Sequence, residues 1–173
     1  MKPIEYNSLL EIFHLNEFWV LNGVGFEKFI TNKLIETGSN SSFDDFKKSY
    51  LHYNHNVPYF EETIKLISNL LNKDCYMSIL SNISEFDVIQ LREHLDLSKF
   101  DYLFLSTQLG IQKPNDEIYK NVLEKTKLLP NNILFIDDTT ENIKVANKYG
   151  WNTCLATGNE IDKIRTEIVN FLK

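Results

Sequence analysis

Polar side chains that suit a phosphate site follow three separate short apolar runs in this 173-residue sequence. Ser81 and Asn82 come directly after the first run, Lys113 follows the second across a loop, and Asp137 and Asp138 follow the third. A hydroxyl with neighbouring backbone amides, a lysine and a carboxylate pair are the groups that hold a phosphoryl group and a divalent cation together. We therefore predict that these residues converge on one anion-accepting site.

The second half of the chain alternates strand-like and helical patterns. We predict strands at 74–80, 102–105, 133–136 and 153–156, and helices at 84–95, 114–128, 141–149 and 160–172. The run 133–136 is apolar at every position, as expected of a strand buried on both faces of a parallel sheet. The alternation predicts an α/β fold with a Rossmann-like, doubly wound parallel sheet, in which ligands bind beyond the carboxyl ends of the strands.

The first half of the chain has the pattern of several helical segments, and we predict no strand there. Phe26, Ile30 and Leu34 share one helical stripe, and Ser42 with Asp45 resembles a capping box. We predict a helical subdomain with its lead-in helix at 1–73 and an α/β core at 74–173. The aromatic residues expected to form the small core of the helical half are Phe26, Phe29, Phe43, Phe46, Tyr50, Tyr53, Tyr59 and Phe60.

Composition and charge argue against two classes of partner. The chain has 18 Lys and Arg residues against 24 Asp and Glu residues, and its net charge of -6 provides no overall attraction for nucleic acid or an anionic membrane. No apolar stretch approaches the ~18 residues of a spanning helix, and the N-terminus lacks the apolar core of a signal peptide. Cys75 and Cys154 lie in separate apolar runs, which favours reduced, buried thiols and a cytoplasmic location.

Three segments that contain the polar groups closely resemble conserved motifs of a known superfamily. The segments 78–82, 110–119 and 133–142 are similar to motifs II, III and IV of the haloacid dehalogenase (HAD) superfamily. The spacing of 32 residues from Ser81 to Lys113 and 24 from Lys113 to Asp137 fits phosphatase-like members with a small helical cap. The resemblance implies a HAD-like fold with an N-terminal helical cap, and a Mg²⁺-dependent phosphohydrolase acting on a small phosphorylated metabolite.

The resemblance also implies roles for the individual residues. Ser81 and the backbone of Asn82 would bind phosphoryl oxygens, and Lys113 would neutralise negative charge beside the nucleophile. Asp138, with Asp137 beside it, would hold Mg²⁺. The sequence alone leaves plainer interpretations open for each group: Asp137 and Asp138 as the cap of the following helix, Lys113 as a solvated loop lysine, and Ser81 and Asn82 as a capping pair.

The sequence lacks the family's motif I, an apolar strand ending in Asp-x-Asp that supplies the nucleophile. No Asp-x-Asp occurs in the 173 residues, and the first aspartate, Asp44, lies in a helical start. Catalytic activity is therefore left open between two hypotheses. The chain is either a HAD-like phosphohydrolase whose nucleophile strand lies outside the given sequence, or a catalytically inactive HAD-like binding or regulatory module.

The missing motif also has a structural consequence. In the family its strand lies mid-sheet, here between the strands at 75–80 and 133–136, so its absence predicts a gap about two strand spacings wide, ~10 Å. The gap would be closed by direct pairing of these two strands, by a substitute strand at Phe18–Leu21, by a strand from another chain, or by a segment of a longer protein. The third option predicts a homodimer through the open sheet.

Overall fold

The computed structural model describes residues 12–53, 61–70 and 75–173. Short 3₁₀ turns at Leu97–Lys99 and Pro130–Asn132 accompany the regular elements. Within the described residues, the elements in chain order are α1 Asn16–Val20, α2 Gly23–Glu36, α3 Phe43–Tyr53, α4 Glu61–Leu70, β1 Ser78–Ser81, α5 Glu85–His94, β2 Tyr102–Leu105, α6 Ser106–Leu109, α7 Asp116–Thr126, β3 Leu134–Asp137, α8 Thr140–Lys148, β4 Asn152–Leu155 and α9 Ile161–Phe171.

The described residues form two compact units that interleave along the sequence. The helical unit contains residues 12–53, 81–95 and 105–112, and the strand unit contains residues 61–70, 75–80, 96–104 and 113–173. The chain therefore enters each unit more than once, and β1 and β2 each end in the helical unit. The division of the sequence at residue 73 into cap and core stays a prediction.

The helical unit has an aromatic core, as the sequence predicts. Phe26, Ile30 and Leu34 of α2 are all buried, which confirms their common stripe. Phe86 of α5 packs edge-on against Phe26 with 5.0 Å between ring centroids. Phe46 and Tyr50 are buried in the same cluster. Of the remaining predicted aromatics, Phe29 and Phe43 are partly buried against this cluster, whereas Tyr59, Phe60 and the Tyr53 side chain lie outside the description.

Two capping boxes begin helices in this unit. The Ser42 hydroxyl accepts the Asp45 amide at 3.2 Å, and the Asp45 carboxylate accepts the Ser42 amide at 3.0 Å, which confirms the predicted box. Ser84 and Asp87 form the equivalent box at the start of α5. Both boxes satisfy backbone N–H groups that have no partner inside the helix.

The substitute strand considered at Phe18–Leu21 is wrong. Asn16–Val20 is a helix, and Phe18 is completely buried in the aromatic cluster, 5.5 Å from the Phe26 ring centroid. Burial of this ring outweighs the β propensity of the run, because strand propensity largely reflects packing rather than an intrinsic backbone preference. The next helix follows directly, and Asn22 occupies the N-cap position of α2.

The four described strands pair as two two-stranded sheets, β1 with β2 and β3 with β4. β3 and β4 are parallel, and their register runs from Leu134 opposite Asn152 to Asp137 opposite Leu155. Within the described residues β1 and β3 do not pair, so direct closure of the predicted gap is wrong. Helices on the sheet, including α9 with buried Ile164 and Ile168, complete an α/β arrangement with parallel strands.

The expected burial of both cysteines is confirmed for Cys154 and is wrong for Cys75. Cys75 is half-buried and Cys154 is buried, and neither forms a disulfide. Burial raises the pKa of the Cys154 thiol, and the nearby Glu167 carboxylate raises it further. Among the helices in the described part of the chain, none combines the length and the apolar character needed to cross a membrane.

Candidate functional site

A buried ion pair joins two of the predicted site residues. The Lys113 Nζ lies 2.6 Å from Asp137 Oδ2, and the two side chains are only 9% and 6% exposed. The interpretation of Lys113 as a solvated loop lysine is therefore wrong. Removing either partner would leave an uncompensated charge in a poorly solvated position, which makes the pair mutually dependent.

Asp137 is the last residue of β3, and hydrogen bonds hold its carboxylate in place. Oδ1 accepts the Thr139 amide at 2.8 Å and the Asn142 side-chain amide at 2.9 Å, while Oδ2 faces Lys113. The bond to Thr139 bridges the turn from β3 into α8. The interpretation of Asp137 and Asp138 as the cap of this helix is wrong, because neither occupies the N-cap position. Thr139 occupies the N-cap position of α8, but its own side chain makes no capping hydrogen bond.

The Lys113 ammonium has further neighbours in the strand unit. It donates to the backbone carbonyl of Leu80 at 2.9 Å and lies 5.4 Å from the centroid of the Phe135 ring. A carbonyl, a carboxylate and an aromatic face all stabilise a cation. These contacts therefore hold the Lys113 side chain in place at the carboxyl end of β3.

Two residues that the sequence interpretation missed support Asp137. Asn142 is 6% exposed, and its backbone carbonyl accepts the Tyr119 hydroxyl at 3.1 Å. Burial raises the pKa of Tyr119, with a further contribution from the nearby Asp137 charge, so the phenol is neutral and can donate. The available signal was the position of Asn142 in the first turn of α8, five residues after Asp137.

The two adjacent aspartates have different surroundings. Asp137 is shielded and its oxygens have three donors, whereas Asp138 is exposed and its Oδ1 accepts only the Thr139 hydroxyl at 3.2 Å among the bonds described. The pair therefore divides into an internal carboxylate that positions Lys113 and an external carboxylate that is accessible to ligands.

The donor set is compatible with magnesium. Mg²⁺ is usually bound by one or two protein carboxylates, with waters and substrate phosphates completing its octahedron. The accessible carboxylate of Asp138 fits this requirement, and Asp137 follows β3 immediately before it. In the described ranges no three His, Cys, Asp or Glu residues form a cluster that could hold a metal. Magnesium binding by Asp137 and Asp138 stays a prediction.

Ser81 and Asn82 belong to the helical unit. Ser81 ends β1, and its hydroxyl lies 3.4 Å from the Asn82 carbonyl oxygen. The interpretation of these two residues as the cap of the next helix is wrong, because Ser84 occupies that position with a complete capping box. Their convergence with Lys113 on one phosphate group stays a prediction.

The family model of haloacid dehalogenase-like hydrolases matches residues 7–156, which include every residue of the candidate site. The chain belongs to this family. The parallel β3–β4 pair with its covering helices belongs to a HAD-like fold.

Several curated proteins resemble parts of this chain. Bifunctional epoxide hydrolase 2 of Rattus norvegicus is 45% identical over 56 residues, which are 32% of this chain and 10% of that protein. Sesquiterpene phosphatase astK of Aspergillus oryzae is 33% identical over 49% of this chain and 44% of its own length. D-ribitol-5-phosphate phosphatase of Bacteroides thetaiotaomicron is 38% identical over 31% of this chain and 26% of its own length. The HAD-like chain thus spans less than half of each of these relatives.

Solved HAD structures share the fold over most of the chain. A predicted HAD-like family hydrolase from Porphyromonas gingivalis has a TM-score of 0.75 at 22% identity, covering 96% of this chain and 83% of that one. A HAD family enzyme from Bacteroides thetaiotaomicron, crystallised with magnesium and inorganic phosphate, has a TM-score of 0.61 at 19% identity, covering 91% and 89%. At these identities the similarity establishes the fold.

Proposed function

We propose that this HAD-family hydrolase is a magnesium-dependent phosphohydrolase that acts on a small phosphorylated metabolite in the cytoplasm. The observation that carries the proposal is the shielded Lys113–Asp137 pair at the carboxyl end of β3, with the exposed Asp138 beside it. Two of its curated relatives are phosphatases, and a structural neighbour was crystallised with magnesium and phosphate. The two unbridged cysteines favour a reducing compartment.

In this proposal each site residue has a separate task. Lys113, positioned by Asp137, offers positive charge to the oxygens of the phosphoryl group. The Ser81 hydroxyl and the Asn82 amide donate hydrogen bonds to the same oxygens. Asp138, with Asp137 beside it, holds Mg²⁺, which would neutralise further negative charge on the substrate.

The nucleophile must come from elsewhere, because the 173 residues contain no Asp-x-Asp. We propose that a carboxylate on a further strand attacks phosphorus and expels the alcohol, and that water then releases inorganic phosphate from the acyl phosphate. The described residues would bind and orient the phosphoryl group in both steps.

A second candidate function is a HAD-like binding or regulatory module without turnover. The observations that favour it are the missing Asp-x-Asp and the existing pairing of Lys113 with Asp137. Such a module would still bind phosphate with Mg²⁺ through Lys113 and Asp138. The difference between the two functions therefore lies in hydrolysis and not in binding.

Calorimetric titration of the 173-residue chain with orthophosphate tests the site shared by both functions. We expect saturable binding that requires Mg²⁺ and that Asp138→Asn weakens at least tenfold. Asp162→Asn, which changes another exposed aspartate, is the matched control and should bind as the unaltered chain does. Absence of Mg²⁺-dependent binding at millimolar phosphate would overturn the module, and its absence in the longest polypeptide that the gene encodes would also overturn the phosphohydrolase.

Hydrolysis of p-nitrophenyl phosphate by the longest polypeptide that the gene encodes separates the two functions. Turnover that requires Mg²⁺ and falls strongly in Asp138→Asn supports the phosphohydrolase. Phosphate binding without turnover in this polypeptide supports the module and contradicts the enzyme.

A further inference from the structure

A buried serine of the helical unit connects three separate segments of the chain. Ser106 is the first residue of α6 and is 0% exposed. Its hydroxyl oxygen accepts the Ile83 amide at 2.9 Å and lies 2.6 Å from the Trp19 carbonyl oxygen. Because neither of these residues is near Ser106 in the sequence, one hydroxyl group joins the segment after β1 to the end of α1.

The two contacts fix the direction of this hydroxyl group. A serine hydroxyl has one proton to donate and two lone pairs that accept. The Trp19 carbonyl oxygen at 2.6 Å is the nearer acceptor, since the Ile83 carbonyl oxygen lies 3.2 Å away. The Ser106 proton therefore points to Trp19, and a lone pair faces the Ile83 amide.

The Ile83 amide belongs to the peptide group that faces the Ser81 hydroxyl. The Asn82 C=O and the Ile83 N–H lie in one rigid plane and point in opposite directions across a trans peptide bond. On one side the amide donates to Ser106, and on the other the carbonyl oxygen lies 3.4 Å from the Ser81 hydroxyl oxygen. Ser106 therefore sets the angle of the plane, and the plane sets the acceptor that faces Ser81.

The chain after this peptide group is anchored a second time. Ser84 is completely buried and forms its capping box with Asp87. The Asp87 carboxylate also accepts the Tyr50 hydroxyl at 2.7 Å, which attaches the box to α3. Since Ile83 and Ser84 are both anchored, Asn82 is the single residue between the end of β1 and the anchored turn.

We propose that Ser106 is a positioning residue for the phosphoryl-binding groups of Ser81 and Asn82. The inference rests on the proposed function, in which the Ser81 hydroxyl and the Asn82 amide bind phosphoryl oxygens. Donors that are oriented before binding hold an anion more tightly, because they lose less freedom when it binds. Ser106 is completely buried, so it acts through the Asn82–Ile83 peptide group and not by contact with the ligand.

Thr107 provides a matched control because it is the next residue and is buried to a similar degree. It is 2% exposed, and its hydroxyl donates to the Leu21 carbonyl at 2.7 Å. Among the described residues, its side chain has no hydrogen bond to the segment 81–84. Removing the Thr107 hydroxyl should therefore loosen the connection between α1 and α2 without releasing the Ile83 amide.

Phosphate affinity separates positioning from simple stability. Ser106→Ala and Thr107→Val each remove one buried hydroxyl and should lower the free energy of unfolding to a similar degree. In the longest polypeptide that the gene encodes, calorimetric titration with orthophosphate and Mg²⁺ should give an affinity about tenfold weaker for Ser106→Ala and unchanged for Thr107→Val. Ser106→Cys keeps a weak donor and acceptor, so its affinity should lie between, and it replaces the alanine variant if that variant does not fold.

Hydrogen exchange of the 173-residue chain without phosphate measures the peptide group directly. The Ile83 amide should exchange about tenfold faster in Ser106→Ala and at its original rate in Thr107→Val. The Phe46 amide, which donates to the Ser42 carbonyl in the same unit, is the reference for general loosening. Its exchange rate should change to the same small extent in both variants.

The possible failures are distinguishable. Unaltered phosphate affinity or unaltered Ile83 exchange in Ser106→Ala would overturn the positioning role and leave the proposed function standing. Equal weakening of phosphate binding in Ser106→Ala and Thr107→Val, with Ile83 and Phe46 exchanging faster together, would show that Ser106 has a structural role only. Absence of orthophosphate binding in the unaltered polypeptide would overturn the proposed function, and the positioning role with it.

Discussion

The helical unit and the strand unit bury their aromatic residues in different ways. Phe18, Phe26 and Phe46 are completely buried in the helical unit, where rings surround them. Phe135 and Trp151 of the strand unit are also shielded, yet both line a cleft between β1 and β3. A helix satisfies its own backbone groups, whereas a strand needs a neighbour on each edge. The helical core can therefore close by side-chain packing alone, and the strand core cannot.

Truncating one aromatic ring in each unit is expected to change the free energy of unfolding more than any other variant proposed here. The two variants test the difference between the cores directly. Phe26→Ala should lower the free energy of unfolding by about 4 kcal/mol, because it leaves a cavity in a closed core. Phe135→Ala should cost less, about 3 kcal/mol, because part of its ring already faces the cleft and has fewer contacts to lose. Urea denaturation followed by circular dichroism measures both values.

Val24→Ala is the control for these two variants, since Val24 is 69% exposed and its truncation should change stability little. A cost for Phe135→Ala equal to or above that for Phe26→Ala would contradict the contrast between an open and a closed core.

Breaking the Lys113–Asp137 pair is expected to have the next largest effect. Lys113→Met should destabilise the chain by about 3 kcal/mol, because the Asp137 carboxyl group, whose side chain is 6% exposed, would lose its ion-pair partner. Adding Asp137→Leu to this variant should recover part of the loss. Thermal and urea denaturation measure both changes.

The surface pair of Lys163 with Glu160 provides the comparison for this prediction. Its side chains are 49% and 44% exposed, so Lys163→Met should change the free energy of unfolding by about 0.5 kcal/mol or less. If Lys113→Met lowers the free energy of unfolding no more than Lys163→Met does, the buried pair does not contribute to stability as its burial indicates.

The parts of this structure that the sequence predicts are those governed by local rules. The stripe of Phe26, Ile30 and Leu34 follows from helical periodicity, and the Ser42–Asp45 box follows from capping geometry. The third predicted strand, 133–136, is observed one residue later at Leu134–Asp137. These features depend on residues within a few positions of one another.

Other features depend on contacts between distant residues. Phe18 lies in a β-prone run, yet it belongs to a helix because it fills an aromatic core built from residues far along the chain. The pairing of Lys113 with Asp137 was not predictable from either local sequence, although their membership in one site was expected from their positions after the predicted strands. The support of Asp137 by Asn142, in contrast, joins residues only five positions apart, and the sequence interpretation missed it.

The two cysteines provide a smaller test of the strand unit. Cys75 is half-buried beside the cleft, whereas Cys154 is 3% exposed and burial raises its thiol pKa. Because alkylation requires an accessible thiolate, iodoacetamide should modify Cys75 at least about tenfold faster than Cys154 at neutral pH. Peptide mass mapping at several times gives both rates. Equal rates would mean that the core around Cys154 opens as readily as the cleft.

The smallest expected effect concerns a feature that the two units share. Hydrogen bonds from the Ser42 side chain, and then from its backbone, lower the pKa of Asp45 in the helical unit, and Ser98 lowers the pKa of Asp96 in the same way in the strand unit. A carboxyl group whose pKa is lower in the folded state stabilises the protein at pH values above its unfolded-state pKa. This stabilisation is lost as the pH falls through the folded-state pKa. Ser42→Ala should therefore raise the pKa of Asp45 toward its ordinary value without changing that of Asp96.

The stability difference between the unaltered chain and Ser42→Ala should accordingly shrink as the solution is acidified through the pKa of Asp45. Carboxyl chemical shifts measured during an NMR pH titration report both aspartates in one experiment. The largest cause of each pKa shift is a hydrogen bond from the residue's own serine, so a parallel shift of Asp96 in Ser42→Ala would show that the two aspartates do not titrate independently. An unchanged Asp45 pKa would instead show that the Ser42–Asp45 capping box is not formed in solution, and that the first turn of α3 lacks this cap.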